Sequence, residues 1–288
     1  MTVQFGRVVE LDAGNRDIGF GYLNSIEVRD LRVSFRVSKD LEKTPNSAEV
    51  NVFNLSPDSR AEAESRVNYI YLRAGYQNGV EEVFQGDVRT VLSRKEQTAW
   101  RTTFTCGDGD VAIESSRVSK SLKPGATVNQ IIGEVGRAFN GVDVTDVLKR
   151  LEAKDPRERK SLLKQILSAN GGFVASGKVE KEFSKLARGL GKKWSIQNGK
   201  LEVLGPTETS SDRAIYLSPT TGLIGAPFAG DDGYVHVKAY IQPGFVPGRR
   251  IALYSEAYQS GEYRIERVTL DGDNRGSAWY ADMEMKAL

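Results

Sequence analysis

The two ends of this sequence are written in a period of two. Leu31, Val33, Phe35 and Val37 are apolar, while the intervening Arg32, Ser34 and Arg36 are polar. Successive side chains on a strand point to opposite faces, so this alternation predicts a strand with one buried and one wet face. A second run, Ala48-Glu49-Val50-Asn51-Val52, follows the turn residues Thr44-Pro45-Asn46-Ser47. The stretch from Asp58 to Arg66 is short and polar and is compatible with a helix. Asn78-Gly79 then divides Tyr69-Ile70-Tyr71-Leu72 from Val83-Phe84, and Asn-Gly between two β-like runs is a strong hairpin signal. The β pattern continues through Trp100, Thr102 and Phe104 to about residue 113.

The last third of the chain echoes this pattern. Val235-His236-Val237-Lys238-Ala239-Tyr240 ends at Ile241-Gln242-Pro243, as the earlier strand ends at Leu55-Ser56-Pro57. Arg250-Ile251-Ala252-Leu253, Tyr258-Gln259-Ser260-Gly261 and a run reaching Trp279 follow in order. Three landmark pairs, Ile70/Ile251, Gly79/Gly261 and Trp100/Trp279, keep nearly constant spacing along the chain. A duplicated β lobe is the simplest reading, against the alternative that any two antiparallel lobes place Tyr and Gly at their hairpins. Two copies of such a lobe offer equivalent sheet edges, and a trimer of such chains can close a ring of six similar lobes.

The texture between the lobes differs. Thr127 is a good helix N-cap, and Val128, Ile131, Ile132, Val135 and Phe139 recur at helical spacing before Asn140-Gly141. Further helical stretches carry Val147, Leu148 and Leu151; then, after Pro156, Leu162, Leu163, Ile166 and Leu167; then Val179, Phe183, Leu186 and Leu190. Trp194-Ser195-Ile196-Gln197-Asn198-Gly199-Lys200-Leu201 reads as a second Asn-Gly hairpin. The predicted fold class is α+β, mainly β. Two similar small antiparallel β domains, 1–117 and 207–288, flank a small α/β module, 118–206, with a helical insertion at about 144–169. The basic lean of the insertion and the helix after it reads as the wet face of amphipathic helices, since no aromatics interleave to stack on bases.

Composition excludes much chemistry. The chain has one cysteine and one histidine, so disulfides, Cys-rich metal sites and Ser-His-Asp catalysis lack raw material. Cys106 and His236 both sit in strand-like runs and read as structural. Asp271-Gly272-Asp273-Asn274 opens like a calcium loop, but Arg275 and Asp282 fall where oxygen and Glu ligands are needed, so it reads as a hairpin turn. No phosphate-binding loop or nucleophile elbow is present. A net charge of +2 is too small to imply a nucleic-acid or membrane partner through bulk electrostatics. No apolar run reaches bilayer-spanning length and no signal-peptide pattern opens the chain, so no membrane binding and cytoplasmic assembly are expected.

Several segments, in order along nearly the whole chain, resemble the baseplate hub proteins of bacteriophage tails, the contractile-tail hub and late-control family. They are Pro45 to Ser56, Phe84-Gln85-Gly86-Asp87-Val88, Lys123 to Val128, Gly172 to Gly177, Trp194 to Gly199 and Leu217 to Gly225. The resemblance implies that the two β lobes are tube-like barrels and that the chain is a non-enzymatic homotrimer forming a pseudo-six-fold ring. It implies as partners the tail tube protein, a spike or tail-tip protein, other baseplate proteins and, transiently in the lumen, genomic DNA. The location implied is the virion tail, assembled in the host cytoplasm. The insertion at about 144–169 departs from the family pattern.

On this reading no catalytic residue, cofactor or metal is expected. Strands Pro45 to Asn54 and Tyr234 to Tyr240 are expected at inter-lobe seams, with Val50, Val52, Phe53, Val235, Val237 and Tyr240 as interface residues. The competing reading is a tail-associated peptidoglycan-binding or peptidoglycan-hydrolysing protein built on the middle module, whose shape is similar to a LysM-type unit. It requires a Glu held protonated in a cleft.

Overall fold

The structure, a computed structural model, describes residues 6–17, 21–154, 157, 160, 161, 164, 171–210, 213–242 and 244–288. It is α+β and mainly β. In chain order come β1 (Arg7–Asp17), β2 (Gly21–Val28), β3 (Val33–Asp40), β4 (Asn46–Phe53), α1 (Pro57–Arg66), β5 (Tyr69–Tyr76), β6 (Gly79–Glu96) and β7 (Ala99–Asp108). Then follow α2 (Asp110–Ser115), β8 (Arg117–Leu122), α3 (Val128–Gly136), α4 (Thr145–Ala153), β9 (Phe173–Lys178), α5 (Val179–Gly189), β10 (Lys193–Gln197) and β11 (Lys200–Leu204). The chain ends with β12 (Ile215–Leu217), a 3-10 turn (Pro219–Thr221), β13 (Leu223–Ala229), β14 (Val235–Tyr240), β15 (Arg250–Leu253), β16 (Gly261–Asp273) and β17 (Trp279–Ala287).

Two compact units result. The first joins Met1–Leu41, Asn46–Asp108 and Thr209–Leu288; the second joins Glu42–Pro45 to Gly109–Glu208. In the first unit both lobes share one thirteen-stranded sheet, ordered β13-β14-β17-β16-β3-β4-β7-β6-β5-β1-β2, with β15 beside β16 and β12 beside β15. Among the described residues this sheet is open, with β13, β2 and β12 as its outermost strands.

Alternation makes the sheet two-faced. Burial along β3 and β4 alternates residue by residue, and β14 does the same. Val33, Phe35, Val37, Val50, Val52, Phe104, Val237, Ile265, Leu270, Trp279 and Met283 therefore enter one hydrophobic core common to both lobes. Trp279 lies at its centre, edge-on to Phe35 at 6.1 Å and to Tyr76 at 6.0 Å. Lys39 carries a cation into this interior. Burial lowers the Lys39 ammonium to about 8, although the charges of Asp108 and Glu82 favour its protonated form.

The second unit has its own core. Thr127 is the expected N-cap of α3, and Gln130 completes a capping box with it. The rings of Phe139, Phe183 and Trp194 pack edge-on or tilted at 5.3 to 5.7 Å in this core. Asn198 (φ 52°) and Gly199 (φ 68°) make the left-handed two-residue turn of the β10–β11 hairpin. Leu162, Leu163, Ile166 and Leu167, expected on a further helical stretch, lie outside the described residues.

Candidate assembly surface

The strand ladder turns the sequence echo into a structural duplication. β3-β4-β7-β6-β5 run in the same antiparallel order as β13-β14-β17-β16-β15. The registers also match. Val50 faces Phe104 as Val237 faces Met283, and Val91 faces Phe104 as Val268 faces Met283. A bulge interrupts the ladder at Val88/Thr90 and, correspondingly, at Ile265/Arg267. Leu72 opposite Phe84 and Leu253 opposite Gly261 then place Ile70 and Ile251 at equivalent positions. Trp100 beside Lys95 likewise matches Trp279 beside Gly272. Gly79 and Gly261 are not equivalent: Gly79 closes a tight hairpin, whereas Gly261 faces Leu253 below a longer loop.

The halves are joined where β16 outruns β15. Its first part pairs with β15 and its second with β3, from Arg267 opposite Asp40 to Asp273 opposite Ser34. Gly272 is needed there because a Cβ would lie 2.3 Å from the Phe35 ring facing it. The end of the seam is pinned by polar contacts. The Arg32 guanidinium donates to Asp273 at 2.7 Å, and the Asn274 side chain accepts from the Val33 amide at 2.9 Å while donating to the Leu31 carbonyl. Burial would raise the Asp273 carboxyl, but Arg32 and the backbone amides of Arg275 and Gly276 hold it below the usual carboxylate range. The Asp271 to Asn274 segment is thus a strand end and turn that locks the two halves.

The wet face of the sheet is polar and charge-balanced. Arg36 pairs with Asp271 across the seam at 3.1 Å, Arg267 with Glu284 at 2.7 Å and Lys238 with Asp282 at 3.5 Å. Partial burial works against the Arg267 charge, yet Glu284 and Asp40 hold its pKa above the ordinary value. A shallow depression on this face is lined by Phe228, His236, Lys238, Arg267, Asp282 and Glu284. Asp232, His236 and Glu284 bring three ligand-type atoms within 4.8 Å of one another. Their chemistry is already committed: His236 bonds Asp232 at 3.1 Å and stacks on Phe228, and Glu284 holds Arg267.

Of the six residues expected at interfaces, Val50, Val52, Val235 and Val237 point into the chain's own core. Phe53 and Tyr240 reach the surface from equivalent ends of β4 and β14. Arg32 covers the Phe53 ring at 4.7 Å, while Tyr240, 39% exposed, stacks on Tyr280 at 6.1 Å. β4 lies between β3 and β7, and β14 between β13 and β17, so both are inner strands. The seam inside the chain is β16–β3. Sequence reasoning missed Leu92 and Phe228, exposed apolar residues (48% and 61%) on β6 and β13. The usable signal was length: β6 spans 18 residues and β16 spans 13, more than their first hairpins use.

No protein-family model matches the sequence. No curated protein matches it. Solved structures do match in fold. A 43 kDa tail protein of prophage MuSo2 from Shewanella oneidensis aligns over 98% of this chain and 98% of its own, with a TM-score of 0.55 and 11% identity. A tail protein from Neisseria meningitidis MC58 aligns over 98% and 97%, with a TM-score of 0.58 and 12% identity. An E. coli component of the type VI secretion system, which exhibits structural similarity to the T4 bacteriophage tail proteins gp27 and gp5, aligns over 90% and 74%, with a TM-score of 0.52 and 12% identity. The chain has the fold of phage tail proteins.

Proposed function

We propose that the chain is a structural hub of a phage-type tail. Three copies close a ring of six equivalent halves that joins the hexameric tail tube to a trimeric spike or tip and passes DNA through its lumen. The observation that carries this reading is the duplication: one chain holds two five-strand units of the same order and register, fused edge to edge in one sheet. A chain of two equivalent halves suits the junction between a six-fold tube and a three-fold tip, because three copies satisfy both symmetries. Each half curls toward a small tube-like barrel, and the sheet's polar face lines the lumen. The named ion pairs compensate Arg36, Lys238 and Arg267 on that face, so a phosphate backbone passing these positions meets few sites where it would displace counterions and bind.

The likeness to tail proteins and to a secretion-system component supports a structural role among other tail parts in the virion. Among the described residues of the middle unit, the carboxyl with the raised pKa a hydrolase acid would need is Glu202, lifted by burial. It stands on β11 and pairs with Arg150 of α4, which makes it a structural tie between helix and strand. A reconstruction of assembled tail tips tests the proposal. Three copies between tube and tip are expected, and six copies or absence from the virion overturns the reading.

A further inference from the structure

The duplication leaves one strand edge without its counterpart's partner. In β16, the part beyond β15 is taken by β3: Leu270 faces Val37 and Asp271 faces Arg36. The equivalent part of β6 lies beyond Asp87, where β5 ends, with Ser93 in the place of Leu270 and Arg94 in the place of Asp271. The equivalent of β3 is β13, where Ala229 stands in the place of Val37 and Phe228 in the place of Arg36. β13 is an edge strand, bonded among the described residues only to β14. One chain therefore carries both sides of a second seam, at opposite ends of its eight-strand run.

The β6 edge is not bare. The Ser93 amide, turned away from β7, donates to the Glu64 carboxylate of α1 at 2.8 Å. Ser93 is the position whose counterpart, Leu270, lies in the internal seam. α1 is lightly anchored: of its residues only Ala63 is buried, and Glu64 is exposed. A charged side chain over an open edge is a recurrent defence against unscheduled strand pairing.

We propose that the β6 edge of one copy pairs antiparallel with β13 of a second copy in the register of the internal seam, Ser93 opposite Ala229 and Arg94 opposite Phe228, and that Glu64 holds this edge closed until the second copy displaces it. This rests on the hub reading for the closure of three such seams into a ring. The chemistry of the two seams differs in kind. The internal one sets Arg36 against Asp271, whereas the seam between copies sets the Arg94 guanidinium over the exposed Phe228 ring, with Leu92 diagonal to that ring. Both edges stay on the wet face's periphery, so the polar faces of neighbouring copies run on without a break.

Disulfide trapping in the full chain tests it, with Cys106 left in place because it is buried. Ser93→Cys with Ala229→Cys, oxidised gently over a concentration series, should give linked species ending in a closed three-chain product. Lys95→Cys with Ala229→Cys, two residues out of register, should not. Glu64→Ala should speed trapping about tenfold to a hundredfold, the scale of one lost hydrogen bond to a charged group, and Glu64→Gln less. Phe228→Asp, at an exposed position, should keep the fold and abolish trapping. Three-chain particles that form without this cross-link, or link equally out of register, overturn the pairing and leave the ring standing. Trapping indifferent to Glu64→Ala overturns the guard. If no association is trapped at any concentration, pairing and ring both fall.

Discussion

The two halves of the sheet have the same strand order and register but spend their edges differently. In the C-terminal half the far part of β16 is consumed inside the chain by β3. In the N-terminal half the same part of β6 is left to Glu64. The landmark tryptophans follow suit. Trp279 is fully buried at the seam between Phe35 and Tyr76, whereas Trp100, at the matching position, is half-exposed with Arg60 over its ring at 4.1 Å. Duplication preserved the backbone ladder, and side chains were then free to serve a joined edge in one copy and an open edge in the other.

The sharpest way to break this comparison is to truncate both tryptophans. Trp279→Ala should cost about 3–5 kcal/mol, the range for a fully buried aromatic, and Trp100→Ala about 1 kcal/mol or less. Urea midpoints of the two variants measure the difference, and equal shifts would mean the halves are not differently used.

Lys39 sharpens it by pH. Its pKa falls from 10.5 unfolded to about 8 folded. Below pH 8 both states hold the proton and the cost of burying the charge is present in full. As pH rises from about 8 toward 10.5 the folded state releases the proton first, so stability should rise, by up to about 3 kcal/mol. Denaturation of wild type and Lys39→Met across this window should show the rise only in the former.

Gly272→Ala should cost about 1–3 kcal/mol by pushing a methyl group into the Phe35 ring. Lys95→Ala, at the matching exposed position, should stay within about 0.5 kcal/mol. Thermal melts of the two variants make the check.

Much of this architecture is legible in the sequence. Alternation marked β3, β4 and β14, both Asn-Gly hairpins form where the dipeptides stand, and Ile70/Ile251 and Trp100/Trp279 are true equivalents. Strand β1 carries a weaker signal, although Val9, Leu11 and Ala13 alternate into the core. Gly79/Gly261 misled because a glycine can mark either the tip of a hairpin or a strand position under a longer loop. The interface residues show the limit most clearly. A period of two says that Val50 and Val237 face something apolar, but not whether that is the chain's own core or a neighbour. The seam was illegible for a related reason: β16 changes partner midway along one strand, and nothing in its own residues says where.

The central claim, that equivalent edges are joined in one half and open in the other, is tested most directly by amide hydrogen exchange in the free chain and in assembled tails. The account predicts that Val268 to Gly272 exchange as slowly as the core in both states. The edge-facing amides of Val91, Ser93 and Lys95, turned away from β7, should exchange faster in the free chain than those of Val268, Leu270 and Gly272, and should become protected on assembly. Equal protection of the two segments in the free chain, or no change at β6 on assembly, would contradict it.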